Sequence, residues 1–261
     1  MPPNIFSYCN HPPWVIAAAD FQDHPLPLHI SCVKEQNHRL FSLLDKESSS
    51  VRRGWIFHEY ASVQFALHQW EDHQNSARSC LRNSYVRYLR GWAVDSNSIE
   101  GAVLKGWVHS RLGIPPTFHV GPLKADDDSI ACYAMDRLRG SAHTNAIESQ
   151  LDLLFEFSQY ELIRRNQGKQ WLTLYRGTFD GAAYECIDKS NPSAPVIRMN
   201  NISSFTLDQE CAWEFGSTVW EVNVPLSKIF FFSDLLPDSI LRGEDEYLVI
   251  GGEYHVRKLL Y

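Results

Sequence analysis

The spacing of apolar residues changes character near residue 170, and this change limits the folds open to the chain more than any other feature. Before it the repeat is helical. Ile56, Tyr60, Val63, Leu67 and Trp70 fall at i, i+4, i+7, i+11 and i+14, as one face of an α-helix requires, and Leu81, Tyr85, Tyr88 and Trp92 repeat the pattern. Ile147, Leu151 and Leu154 mark a third helix, with Asn145 as N-cap and Glu148 three residues later. These aromatic-rich stripes read as core packing. After residue 170 short strands follow one another: Trp171 to Tyr175, Val196 to Leu207, Thr218 to Val224, Lys228 to Phe232, Tyr247 to Ile250 and Tyr254 to Leu259. Asp208 to Gly216 predicts a short helix with Cys211, Ala212 and Phe215 on one side and Gly216 as its stop, and Asn191 to Pro195 predicts a surface loop. The expected architecture is α+β, a mainly helical part over 1–169 packed on a mainly antiparallel β core over 170–261. The two parts remain open to forming one integrated domain.

Composition bounds the function. With 261 residues, 44% of them apolar, the chain can bury a sizeable core, and its net charge of -7 argues against a general nucleic-acid binder. Six cysteines lie scattered without a Cys-x-x-Cys pair, which points to free thiols in the cytoplasm rather than a disulfide framework or zinc knot. The first 33 residues hold no Lys or Arg, and the apolar run from Trp14 to Ala19 is too short to span a bilayer, so neither secretion nor membrane insertion is expected. There is no Gly-x-Gly-x-x-Gly turn and no Gly-x-x-x-x-Gly-Lys loop, which argues against Rossmann and P-loop nucleotide sites. No metal site is expected: His58-Glu59 lacks a second His four residues on, His68 and His73 do not share a helix face, and Asp126 to Asp128 reads as a solvated loop.

Three segments of the β part carry chemistry. Glu244-Asp245-Glu246 opens a predicted strand, where alternation sends Glu244 and Glu246 to one face and Asp245 to the other. Leu174-Tyr175-Arg176-Gly177-Thr178 ends a strand with an arginine suited to a pyrophosphate, followed by a glycine that lets backbone approach a ligand closely. Ser203-Ser204-Phe205-Thr206-Leu207 puts hydroxyls on another strand, with Ala212 and Phe215 beyond it.

In this order the segments resemble the R-S-E class of ADP-ribosyltransferases, in which an Arg-Gly strand end, a Ser-Thr-Ser strand and a Glu-x-Glu strand converge on NAD. The matching positions are Arg176, Ser204 and Glu244 with Glu246, although Phe205 interrupts the hydroxyl motif and Ser203 stays an alternative to Ser204. Glu rather than Gln at 244 matches the arginine-specific members. Pro12-Pro13-Trp14-Val15-Ile16-Ala17, Asp20-Phe21, His24-Pro25-Leu26-Pro27-Leu28, Asn37, Leu40-Phe41 and His58-Glu59-Tyr60 are similar to the dinitrogenase reductase ADP-ribosyltransferase family. The likeness runs along essentially the whole chain.

That resemblance implies NAD as co-substrate, an arginine of the nitrogenase iron protein as acceptor, and control by a PII-type nitrogen-signalling protein. Glu246 would face the ribose, Glu244 the incoming guanidinium and Arg176 the pyrophosphate. Gly177 would lie under the nicotinamide amide, Ser204 would hold Glu246 or the ribose, and Thr206 would join the NAD-binding set. The loop from Asp234 to Gly243 would lie beside the substrate protein. Two other readings stand: an NAD hydrolase or transferase acting on another arginine, and a non-catalytic module whose acidic strand docks a basic partner.

Overall fold

The computed structural model describes residues 8–67, 84–124, 128–142, 146–179, 184–191, 194–241 and 245–259. Trp70, His68, His73, Cys80, Leu81, Asp126, Asp127, Asn145, Pro192, Ser193 and Glu244 lie outside them. Ten helices occur among the described residues: α1 Pro13–Ala17, α2 Asp20–Asp23, α3 Val33–Gln36, α4 His38–Asp45, α5 Ser50–Gln64, α6 Tyr85–Val94, α7 Ile99–Leu112, α8 Asp128–Ser141, α9 Ile147–Arg165 and α10 Gln209–Glu214. The strands are β1 Phe118–His119, β2 Gly121–Pro122, β3 Trp171–Thr178, β4 Glu185–Asp188, β5 Val196–Thr206, β6 Thr218–Pro225, β7 Ile229–Phe232, β8 Glu246–His255 and β9 Arg257–Leu259. The fold is α+β, with helices in the first part and an antiparallel seven-stranded sheet in the last.

Serine caps start the middle helices. The side chains of Ser49, Ser84 and Ser98 accept backbone N–H groups of α5, α6 and α7, and Gly113 closes α7 in a left-handed turn. Tyr85, Tyr88 and Trp92 are buried on α6 as their spacing predicts, and so are Ile147, Leu151 and Leu154 on α9. The α5 stripe needs correction. Val63 is 72% exposed and Leu67 lies beyond the helix, while the buried face runs through Arg53, Gly54, Phe57 and Ala61. A count of apolar residues misses that face because two of its four members are an arginine and a glycine. Arg53 is matched by Glu161 of α9 in a buried pair, with Nη2 donating to Oε2 at 2.9 Å, and Gly54 lies against Pro237.

Helix α9 is buried along most of its length and packs against α3, α5, α6 and β7. Phe157 stacks on Phe57 with ring centroids 4.3 Å apart, and Phe155 and Trp107 meet Phe230 of β7. Gln159 Nε2 donates to the Ile229 carbonyl at 2.8 Å, tying the helix to the strand's backbone. One apolar cluster therefore holds residues of both the helices and the sheet.

The sheet order is β7-β8-β5-β3-β6-β9, with β4 also on β5. Strand β8 was expected as two strands separated at Gly251-Gly252, yet it runs unbroken through them. Those glycines serve close packing: a Cβ on Gly251 would lie 1.7 Å from the Asn200 carbonyl oxygen, and Gly252, at φ +116°, lies against Ala17 of α1. Here the register against β5 shifts between Met199 and Ile202. After Val256 the chain crosses to pair as β9 with β6.

Candidate active site

The inner strands bring the predicted residues to adjoining positions. Thr206 and Glu246 are directly opposed on β5 and β8, and Ser204, two residues back, pairs with Leu248. Directly opposed residues project to one side, so Ser204, Thr206 and Glu246 share a face of the sheet. Ser203 alternates to the other side and is buried. Strands β3 and β5 share a single bridging pair, Tyr175 with Thr206, so they diverge at the place where Arg176 and Ser204 meet.

Arg176 is held by groups of the protein itself. Its Nε donates to the Tyr184 hydroxyl and its Nη1 to the Ser204 carbonyl, each at 2.7 Å. Tyr184 in turn meets the Trp220 ring edge-on. Ser204 Oγ accepts from the indole N–H of Trp92 at 2.9 Å. The indole is held against Lys105, whose Nζ lies 5.9 Å from the ring and 3.2 Å from His119 Nδ1; burial pulls that lysine's pKa down to about 8.

Glu246 is fixed through its backbone. Ser233 Oγ accepts its N–H at 2.8 Å and donates to its carbonyl at 3.2 Å. Its neighbour Tyr247 stacks on Phe232, and burial raises that phenol's pKa. The strand begins at Glu246, preceded by Asp245 with φ +39°, a left-handed conformation that Asp tolerates better than most residues. The regular pleat of β8 thus starts at Glu246 and does not include Asp245, while Glu244 lies outside the described residues.

Three other expectations meet a physical account. Gly177 is needed for helix packing, because a Cβ there would stand 1.8 Å from the Ala212 carbonyl oxygen of α10, which leaves only its backbone for a ligand. Thr206 Oγ1 accepts from the Asp208 N–H at 3.1 Å, starting the turn into α10, whose N-cap is Asp208. The segment from Asp234 to Leu241 is not a free loop: Leu235, Leu236, Ile240 and Leu241 are buried. Arg90 Nη2 grips the Ile240 carbonyl at 2.6 Å, and Arg165 Nη2 the Asp234 carbonyl at 3.0 Å.

Trp92, Tyr184, Ser233 and Arg90 escaped sequence reasoning. Trp92 fitted a core stripe, and no local pattern marks the other three. Among the described residues no group of three or more His, Cys, Asp or Glu could hold a metal ion, and no helix is long and apolar enough to cross a membrane.

Arg176, Ser204 and Glu246 thus stand on the adjoining strands β3, β5 and β8 of one antiparallel sheet. The family model for dinitrogenase reductase ADP-ribosyltransferase matches residues 6–258. The chain is 40% identical over 249 residues to the NAD(+)--dinitrogen-reductase ADP-D-ribosyltransferase of Rhodospirillum rubrum, covering 93% of this chain and 90% of that one. No solved structure matches. In class, then, the protein is an ADP-ribosyltransferase, an enzyme with NAD as co-substrate. Within that class the chain belongs to the dinitrogenase reductase ADP-ribosyltransferase family.

Proposed function

We propose that this enzyme moves ADP-ribose from NAD to an arginine of dinitrogenase reductase, the nitrogenase iron protein, releasing nicotinamide and inactivating the target. The observation that carries the site assignment is the shared face of Ser204, Thr206 and Glu246 with Arg176 bonded to the Ser204 carbonyl, in a chain of this family along nearly all its length. The bond from ribose C1′ to the nicotinamide nitrogen breaks, its electron pair leaves with nicotinamide, and C1′ becomes an oxocarbenium ion. The Glu246 carboxylate, held against the ribose hydroxyls, stabilises charge that develops only in the transition state.

The acceptor guanidinium is planar and charged, fitted for two parallel hydrogen bonds to a carboxylate. In this reading Glu244 binds it and takes its proton as its nitrogen attacks C1′. Arg176 anchors the pyrophosphate with N–H groups beyond those given to Tyr184 and Ser204. Gly177 contributes backbone to the nicotinamide amide, and Ser204 and Thr206 hold the ribose and Glu246. The enzyme works in the cytoplasm under a PII-type regulator, and residues 170–261 form the catalytic core, with 1–169 its helical support.

The test is to incubate the pure protein with NAD and dinitrogenase reductase. Nicotinamide release is followed while the target is mapped by mass spectrometry. One ADP-ribose on one arginine is the expected product. Nicotinamide release that ignores the target would make the protein a hydrolase, and no release would make it a binding module.

A further inference from the structure

Trp92 lies on α6, 112 residues away in sequence from the serine it touches, and it is 3% exposed. Burial at this position asks only for an apolar side chain of the right volume. Indole adds an N–H that must find an acceptor once it leaves water, and at Trp92 that acceptor is Ser204 Oγ. The pairing affects both groups. An indole N–H can only donate, whereas a serine hydroxyl has lone pairs to accept with, one proton to donate, and a free rotor. With a lone pair engaged by Trp92, the hydroxyl keeps its proton for a second partner.

The same helix reaches the other side of the site. Arg90, two residues before Trp92, grips the Ile240 carbonyl in the segment that leads toward Glu246. Helix α6 thus spans the serine strand and the approach to the glutamate strand, and it begins at a fixed point, the Ser84 cap.

We propose that Trp92 is a positioning residue for the transfer reaction, holding the Ser204 hydroxyl so that its proton is donated into the NAD site. This rests on the assignment of Ser204 to that site. The hydrogen bond acts on a group whose orientation matters most once the ribose changes shape and charge, so its loss bears on turnover more than on NAD affinity.

The experiment is a double-mutant cycle with Trp92→Phe, Ser204→Ala and the double variant, each checked for folding by circular dichroism. Transfer to the iron protein gives kcat and KM, and calorimetry gives the NAD Kd. Trp92→Phe is expected to lower kcat about tenfold, with Kd within about twofold, as the loss of one hydrogen bond to a reacting-site group implies. The double variant should be no slower than Ser204→Ala, because the two changes remove one interaction. A wild-type kcat in Trp92→Phe, or effects that simply multiply, overturns the role of Trp92 while leaving Ser204 in place. Full activity in Ser204→Ala overturns the site assignment itself and the proposal with it. Should Trp92→Phe fail to fold, benzothienylalanine at 92, which keeps the bicyclic shape without the N–H, gives the same readings.

Discussion

Arg176 donates through Nε to Tyr184 and through Nη1 to Ser204, which fixes the orientation of its fork; in the proposed function that fork anchors the pyrophosphate. A lysine keeps the charge but cannot hold two internal acceptors and a phosphate in one plane. Arg176→Lys should therefore raise the NAD Kd about tenfold or more with a smaller effect on kcat, and an unchanged Kd by calorimetry would remove the phosphate role. If Glu246 stabilises the oxocarbenium ion as proposed, Glu246→Gln should lower kcat on the order of 10²- to 10³-fold while NAD still binds. The companion variant Glu244→Gln should lose arginine labelling yet keep measurable NAD hydrolysis, since water can attack where the guanidinium no longer sits. If nicotinamide release falls as far in Glu244→Gln as in Glu246→Gln, the two carboxylates do not divide the work.

At the scale of elements, α10 sits so close to β3 that position 177 tolerates no side chain. Gly177→Ala must lift the helix, and overpacking of this kind costs roughly 1–3 kcal/mol, or about 2–6 °C in thermal midpoint for a chain of this size. Scanning calorimetry checks this, and an unshifted midpoint would mean that α10 does not pack there. The same glycine shows what the sequence could reveal. Its place after Arg176 was legible, but its steric reason lies in a helix 35 residues on, which no local pattern encodes. Strands rich in β-branched and aromatic residues, such as β5 and β6, were legible almost to the residue, whereas the short exposed β4 left no mark. Gly251-Gly252 looked like a turn because glycine is the usual turn residue. The structure uses the pair for close backbone approach, a property of two strands together. Trp92 was legible as a buried residue of a helix, and its hydrogen bond was not, because periodicity reports burial and is silent about an indole's N–H.

At the scale of the molecule, the core contains charge that its surroundings must neutralise or exclude. Lys228, in the turn between β6 and β7, is buried against the rings of Tyr254 (4.1 Å) and Phe21 (5.7 Å), and burial pulls its pKa down to about 7 from 10.5. Between those values the unfolded chain keeps a proton that the folded protein has released, so stability rises with pH from about 7 upward; below that both states are charged and the cost of burial is complete. Lys105, lowered to about 8, acts in the same direction. Denaturant titrations from pH 7 to 9.5 should show stability rising by at most about 1.4 kcal/mol per pH unit per lysine. Lys228→Met should raise stability at pH 7 and flatten the slope, and a mutant slope as steep as the wild type would clear Lys228 of the effect. The sheet order carries another consequence, for synthesis. Strand β8 is central in space, between β5 and β7, yet follows both in the chain. While the polypeptide is being made, β5 leaves the ribosome with one edge open and β7, whose sheet partner is β8, with neither edge paired, until residues 246–255 emerge. A ribosome that stalls just before residue 246 releases a product with a helical half able to collapse, an open edge on β5 and an unpaired β7, the form in which such a chain sticks to its neighbours.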